Sequence, residues 1–133
     1  MLEGKLVTIS LLSGKLIVGS VVGDDSKFVV LKDGFVEGND AKYVAVHKNQ
    51  ILLAGASNKK SDVEGKSLDV FVNRRVKVYL LRGLVVTGKF KGVDDRFVVV
   101  EDCELRGKIQ LPTKNFEEVY IHKNQVELLH TVD

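Results

Sequence analysis

The tetrapeptide His-Lys-Asn-Gln occurs twice in this chain, at residues 47–50 and again at residues 122–125. Each occurrence follows an apolar segment and places an imidazole, an ammonium and an amide side by side. Side chains of these types can stack on a nucleobase, hydrogen-bond its edge or offset a phosphate charge. A histidine at the end of a strand can equally serve only to bond a turn. The repetition leaves both interpretations open, a binding role and a turn-forming role.

The two tetrapeptides belong to a longer internal repeat, a feature that decides domain organisation. Residues 7–14 match residues 76–83 at a constant offset of 69. The second copy gains residues after Asp102, and the register resumes at an offset of 75, which aligns the two tetrapeptides. The chain is therefore a duplication, in which the offset of 69 also pairs Gly19 with Gly88, Gly23 with Gly92, Asp25 with Asp94 and Phe28 with Phe97.

The composition limits the class of protein. The chain has 133 residues, of which 44% are apolar, and its 20 basic and 18 acidic residues leave a net charge of +2. That balance excludes a polycation that coats nucleic acid, although it allows a local basic patch. A single cysteine, Cys103, excludes an internal disulfide and a cysteine zinc site. Residues 1–10 lack the apolar run that is typical of a signal peptide, and the chain has no run of about 18 uncharged apolar residues, so we expect a soluble, cytoplasmic protein with no membrane partner.

Each copy is predicted to consist of short β-strands. Val76 and Val78 alternate with Lys77 and Tyr79, a period of two that places one set on a buried face. Tight turns containing glycine follow, and glycines within the next strand indicate sharp bends. Five short, strongly bent strands in about 50 residues are typical of an SH3-like barrel. We therefore predict an all-β chain of two tandem five-stranded barrels.

The repeat also sets the predicted domain limits. The first domain covers residues 1–55 and the second covers residues 67–133, with a polar, lysine-rich linker at 56–66. Ser67 is a candidate N-cap for a short helical turn before the second barrel, and additional linker is the alternative. The extra residues of the second copy, 103–115, are predicted to form a surface loop.

The motifs of both copies resemble those of the Sm and Sm-like superfamily, which includes the bacterial Hfq branch. The first Sm motif combines a hydrophobic strand, a turn glycine, a Gly-x-x-x-Gly bend and an aspartate two residues later, and residues 76–94 are similar to it. The second motif, Ile-Arg-Gly-Asn-x-Val, is similar to Ile-His-Lys-Asn-Gln-Val at 121–126. A histidine after an apolar strand is similar to the Tyr-Lys-His signature of the Hfq branch. The likeness covers residues 2–54 and 67–132.

The resemblance implies a Sm-fold barrel whose fourth and fifth strands pair with neighbouring subunits in a ring of six or seven. An open strand edge of this kind must be covered or paired. Because each chain carries two barrels, three chains would form a pseudo-hexamer, and we expect a homotrimer. The interfaces are then expected at residues 43–46, 51–53, 119–121 and 126–128.

The resemblance also implies where single-stranded RNA binds. In the family, each subunit holds one base between a side chain of the loop before the third strand and the arginine of the second motif. Those positions correspond to Lys27 and Arg96 in the loops, and to His47 and His122 in the second motif. Further residues correspond to the motif amide (Asn49, Asn124), an added cation (Lys48, Lys123) and the loop-supporting aspartate (Asp25, Asp94).

Two departures from the family pattern support an alternative function. Val29 and Val98 replace the asparagine that closes the first motif, which removes a hydrogen bond to the base, and Lys48 and Lys123 replace the motif glycine. The leading hypothesis is a non-enzymatic RNA-binding ring, and the alternative is an assembly module without a working base pocket. No nucleotide-binding, metalloprotease or nucleophile motif is present. Three histidines without a repeated third ligand predict no metal site, and we expect no cofactor.

Overall fold

The chain forms two compact units in a computed structural model that describes residues 2–60, 64–108 and 113–132. The first unit is Met1–Val70 and the second is Phe71–Asp133. The regular elements of the described residues are ten β-strands and a few short 3-10 helices. The prediction of an all-β chain is therefore confirmed.

The first unit is an antiparallel sheet of five strands. They are β1 (Lys5–Leu11), β2 (Leu16–Asp24), β3 (Phe28–Val36), β4 (Asn39–His47) and β5 (Ile51–Lys60). Their order across the sheet is β5-β1-β2-β3-β4. Alternation of apolar side chains accounts for β1, in which Val7, Ile9 and Leu11 are buried and the residues between them are not.

The second unit repeats this arrangement. Its strands are β6 (Arg75–Leu80), β7 (Val85–Val93), β8 (Phe97–Arg106), β9 (Asn115–His122) and β10 (Val126–Thr131). Their order, β10-β6-β7-β8-β9, is the order found in the first unit. Two tandem five-stranded units are therefore confirmed.

Glycine allows the second strand of each unit to bend closely over the third. A Cβ on Gly88 would lie 2.6 Å from the Cβ of Cys103 and 2.8 Å from the carbonyl oxygen of Glu101, both on β8. The register of β7 against β8 shifts at this point, between Thr87 and Lys89. The close approach and the shifted register produce the strongly bent strand that the Gly-x-x-x-Gly pattern predicts.

Both copies place an aspartate at a bulge in the third strand. Asp33 and Asp102, which the repeat pairs, have φ angles of 50° and 47°. Aspartate tolerates this left-handed conformation better than most residues. Each lies where the register between the second and third strands shifts. The duplication therefore preserves the irregularities of the sheet as well as its strands.

A short 3-10 helix, Leu68–Phe71, precedes the strands of the second copy. The N–H of Asp69 donates to the Oγ of Ser67 at 3.4 Å. Leu68 and Phe71 are buried, and the ring of Phe71 packs 5.8 Å from the ring of Phe90 on β7. The predicted short helical turn, begun by Ser67, is therefore confirmed.

The last strand of the first unit is longer than expected. The predicted linker begins at residue 56, but β5 continues through Lys60. Residues 56–60 are strand rather than linker because they pair with β1, where Ala56 lies opposite Val7. The predicted domain limits, at 1–55 and 67–133, stay a prediction.

The residues that follow β5 contact the first unit rather than forming a free linker. The N–H of Lys66 donates to the carbonyl of Val22 on β2 at 2.8 Å. Glu64 pairs with Lys32 on β3 at 3.3 Å. A Cβ on Gly23 would overlap the carbonyl oxygen of Lys66. We call residues 64–67 the strap.

The predicted loop of the second copy is shorter than expected. Residues 103–106 belong to β8, and Asn115 begins β9. Residues 109–112 lie outside the described residues.

His130 on β10 is a titratable residue with only 5% of its surface exposed. Burial is the main cause that lowers the pKa of its imidazole. A hydrogen bond to the Thr131 backbone raises this pKa, and the charge of Lys77 lowers it. The unfolded chain therefore binds this proton more readily than the folded chain at pH values below the ordinary pKa of about 6.5. The stability contributed by neutral His130 is fully present above that value and is lost as the pH falls through the folded pKa.

We expect the free energy of unfolding to decrease between about pH 7.5 and about pH 5.5, and His130→Gln to reduce that dependence because glutamine does not titrate. Denaturant unfolding of both proteins across this range measures the difference. Equal pH slopes for the wild type and His130→Gln would contradict the prediction.

Candidate nucleic-acid interface

An aspartate fixes the loop before the third strand of the first unit. The Oδ1 atom of Asp25 accepts the N–H of Lys27 at 2.8 Å and the N–H of Phe28 at 2.7 Å. The N–H of Asp25 donates to the carbonyl of Phe28 at 3.0 Å, which closes the loop. Asp25 therefore supports the loop and holds the backbone of Lys27.

The loop of the second unit has the same construction. The Oδ1 atom of Asp94 accepts the N–H groups of Arg96 and Phe97, each at 2.8 Å. These two hydrogen bonds lower the pKa of Asp94, and the bond from Phe97 has the larger effect. The charges of Lys123 and Arg96 lower the pKa further. Asp94 therefore stays ionised below the ordinary range of an aspartate, and the loop keeps its anchor in mildly acidic solution.

A histidine caps the turn after the fourth strand in each unit. The turns are the 3-10 helices Lys48–Gln50 and Lys123–Gln125. The Nδ1 atom of His47 accepts the N–H of Asn49 at 3.1 Å, and the Nδ1 atom of His122 accepts the N–H of Asn124 at 3.1 Å. Both histidines therefore bond a turn, as one of the two interpretations predicted. An accepting Nδ1 carries no proton, so the neutral ring bears its proton on Nε2.

The loop and the turn of each unit touch through the backbone. The N–H of Lys48 donates to the carbonyl of Lys27 at 2.8 Å, and the N–H of Lys123 donates to the carbonyl of Arg96 at 2.8 Å. The structure thus brings the ten predicted site residues into two groups of five, one in each unit: Asp25, Lys27, His47, Lys48 and Asn49, and Asp94, Arg96, His122, Lys123 and Asn124. We call each group a loop–turn junction.

Strand pairing places an aromatic ring beneath each capping histidine. Phe28 lies opposite His47, and Phe97 lies opposite His122. The ring centroids are 5.0 Å apart at 70° in the first unit and 5.8 Å apart at 78° in the second. This edge-to-face packing restrains the imidazole that caps the turn. Sequence reasoning did not assign a role to the two phenylalanines, although their position in the repeat pairs them.

The two loop–turn junctions differ in exposure. His47 is 3% exposed, whereas His122 and Arg96 are exposed. The ammonium of Lys48 pairs with Asp24 in the first unit. In the second unit, a shallow cavity of about 380 Å³ is lined by Asp94, Asp95, Arg96 and Phe97.

The two valines that depart from the family motif lie in the core. Val29 and Val98 are 5% and 0% exposed. A hydrocarbon side chain at these positions supplies no amide to a base edge. The side chains of the loop–turn junctions that can hydrogen-bond a base are the imidazole, the asparagine amide and the lysine and arginine cations.

Two other features, a metal site and a membrane-spanning helix, are absent from the described ranges, residues 2–60, 64–108 and 113–132. Those ranges contain no group of three or more His, Cys, Asp and Glu side chains placed to hold a metal ion. They also contain no helix long and apolar enough to cross a membrane.

Solved structures of three archaeal proteins are similar to this chain. A novel Sm-like protein from Pyrobaculum aerophilum is 21% identical with a TM-score of 0.42, and the match covers 50% of this chain and 48% of that one. The chain thus spans about half the length of the Pyrobaculum protein. An Sm protein from Pyrococcus abyssii, solved in complex with a uridine heptamer, is 24% identical with a TM-score of 0.43, over 50% of this chain and 99% of that one.

The third structure is an SmAP (LSm) protein from Methanococcus vannielii. It is 25% identical with a TM-score of 0.41, over 47% of this chain and 86% of that one. No family model matches this chain. No curated protein matches it either.

Proposed function

We propose that this chain is a non-enzymatic Sm-like protein of the cytoplasm that binds single-stranded RNA through its two loop–turn junctions. The observation that carries the proposal is their duplicated construction. In each unit a carboxylate holds the loop, an imidazole caps the turn, and a backbone hydrogen bond joins the two. Groups fixed in this way lose little conformational freedom when a ligand binds.

Each loop–turn junction offers the chemistry that a base and its phosphate require. In the second unit the guanidinium of Arg96 presents a flat cation for stacking, and the Nε2–H of His122 can donate to a base carbonyl. Lys123 supplies a charge for the phosphate, and the Asn124 amide can pair with a base edge. In the first unit Lys27 and Lys48 are proposed to supply point charges and Asn49 an amide, whereas His47, 3% exposed, is proposed to hold the turn.

Three chains are proposed to close into a pseudo-hexameric ring. The strands β5 and β9 each form one edge of their unit and carry exposed apolar side chains, of which Leu52 is 62%, Leu53 57% and Tyr120 59% exposed. A strand edge with exposed apolar side chains favours pairing with another chain. Pairing of β5 in one chain with β9 in the next would bury both edges.

The test of RNA binding removes side chains that the fold does not need. In Lys27→Ala with Arg96→Ala the backbone N–H groups that bond Asp25 and Asp94 remain, so the loops keep their anchors. We expect affinity for oligo-U or oligo-A to fall at least about tenfold, because a stacked base loses its partner in both units. Fluorescence anisotropy at low and moderate salt measures the affinity.

Lys42→Ala with Lys108→Ala is the matched control, since it removes the same number of charges from exposed positions elsewhere on the two units. A general electrostatic effect would weaken binding equally in both double variants, which would contradict a role for the loop–turn junctions. The proposal also fails if His47→Ala with His122→Ala, shown to be folded, binds as tightly as the wild type.

An assembly module without a base pocket is the second candidate function. The burial of Val29 and Val98 favours it, because these positions supply no amide to a base. A wild-type ring with no measurable affinity for either oligonucleotide at micromolar protein would support this alternative.

A further inference from the structure

Three aromatic rings border the loop–turn junction of the second unit. Tyr120 and His122 lie two residues apart on β9 and are both exposed, Tyr120 at 59%, whereas Ile121 between them is buried. The ring of Phe97 on β8 packs edge-to-face against both. Its centroid lies 6.1 Å from that of Tyr120 and 5.8 Å from that of His122. We call Phe97, Tyr120 and His122 the aromatic platform.

The paired positions of the first unit do not form such a surface. The repeat pairs Tyr120 with Ala45, which has no ring. Ala45 and Phe28 are 0% exposed and His47 is 3% exposed. An exposed tyrosine beside the capping histidine therefore distinguishes the second loop–turn junction from the first.

Neighbouring side chains restrain the Tyr120 ring. Its hydroxyl donates to the carboxylate of Glu118, two residues earlier on β9, and this bond raises the pKa of Tyr120. Lys91 on β7 pairs with the same carboxylate at 2.5 Å and offsets its charge. Phe97 contacts the ring itself. A ring held in this way loses little conformational freedom when a base stacks on it.

The charges beside the aromatic platform are balanced. Arg96, Asp94 and Asp95 line the same shallow cavity as Phe97. Lys123, whose N–H donates to the carbonyl of Arg96, supplies the second cation. Two cations therefore face two carboxylates on the loop and the turn. What Tyr120 adds to this surface is an exposed aromatic ring rather than attraction to phosphate.

The spacing of the aromatic platform suits two neighbouring bases. Two residues of extended strand place Tyr120 about 7 Å from His122, a distance that one nucleotide of a single strand can span. Successive bases of single strands commonly stack on aromatic side chains. We propose that Tyr120 stacks on the base next to the one held at the loop–turn junction of the second unit. The inference rests on the proposed function, because it adds a stacking position for the same RNA.

The proposed ring leaves this position accessible. Pairing of β9 with another strand uses its backbone N–H and C=O groups, which lie in the plane of the sheet. The side chains of a strand stand roughly perpendicular to that plane. The Tyr120 ring therefore lies on the face of the sheet and not along the edge that would pair.

A tryptophan at the same position reports stacking directly, because the chain has no tryptophan of its own. In Tyr120→Trp we expect oligo-U to quench the fluorescence of the indole in a saturable manner, since a stacked base quenches it. Phe35→Trp is the matched control, because Phe35 is an aromatic residue of β3 that is 46% exposed outside the loop–turn junctions. Its fluorescence should stay nearly constant during the same titration.

Tyr120→Ala, which introduces the residue of the first copy, measures the contribution to affinity. We expect oligo-U to bind about tenfold more weakly, and Tyr120→Phe, which keeps the ring, to restore most of the affinity. The slope of log affinity against log salt should stay the same in Tyr120→Ala, because no phosphate-neutralising charge is removed. The native mass should also equal that of the wild type.

Three results would overturn the inference: no quenching of Tyr120→Trp at saturating RNA, wild-type affinity of Tyr120→Ala, or a lower native mass of Tyr120→Ala. The last result would assign Tyr120 to contacts between chains. If Lys27→Ala with Arg96→Ala binds oligo-U as tightly as the wild type, the proposed function fails instead.

Discussion

Gly23→Ala is expected to displace the strap and to lower the free energy of unfolding by roughly 1–3 kcal/mol, the usual cost of overpacking. The new methyl group would overlap the carbonyl oxygen of Lys66, a backbone atom that can move only with its whole segment. Moving it breaks the hydrogen bond from the Lys66 N–H to the Val22 carbonyl and weakens the ion pair between Lys32 and Glu64. Denaturant unfolding measures the loss, and hydrogen exchange at Lys66 reports whether the strap has detached.

Gly92→Ala is the matched control, because the repeat pairs this position with Gly23. A Cβ on Gly92 would meet no heavy atom within 4 Å. Alanine there should change stability by less than about 1 kcal/mol and could raise it by restricting the unfolded chain. Equal destabilisation by both substitutions would mean that the bend of the strand, and not the strap, requires glycine.

Leu53→Asp is expected to dissociate the proposed ring into single chains. Leu53 is 57% exposed on β5, an outer strand of the first unit, and a carboxylate there would have to be desolvated between paired strands. The native mass should fall from three times the chain mass to the single-chain value of 14.7 kDa. Light scattering during gel filtration gives both masses.

The control for this experiment is Leu16→Asp. Leu16 is 52% exposed, but it lies on β2, which has strands on both sides. The charge should leave the native mass unchanged, since no strand can pair there. A wild-type mass of a single chain, or a Leu53→Asp protein that keeps the wild-type mass, would refute the ring.

The strands could be predicted because their signals are local and occur twice. Alternation in residues 76–79, the turn glycines and the Gly-x-x-x-Gly bend each concern a few neighbouring residues, and the repeat supported each pattern independently. The length of β5 could not be predicted in this way. Residues 56–60 are polar and resemble linker, and they become strand because β1 offers them a backbone partner.

The candidate site, like the strands, could be predicted from the sequence only in part. The family resemblance, applied to both copies of the repeat, indicated the ten residues of the loop–turn junctions, and the structure brings the five residues of each junction together. Their geometry was beyond sequence reasoning, because the accepting role of His47 Nδ1 and the packing of Phe28 on its ring depend on strand register. The exposure of His122 beside the burial of His47 could not be read from two identical tetrapeptides either.

The loop–turn junctions share one backbone plan but present different cations, Lys27 in the first unit and Arg96 in the second. A guanidinium is flat and stacks on a base, whereas an ammonium acts as a point charge. In the proposed ring of three chains these two kinds of site would alternate. An RNA strand that follows the proposed ring would then meet strong and weak stacking positions in turn, and its unit of recognition at the loop–turn junctions would be a dinucleotide step with three-fold periodicity rather than one nucleotide repeated six times.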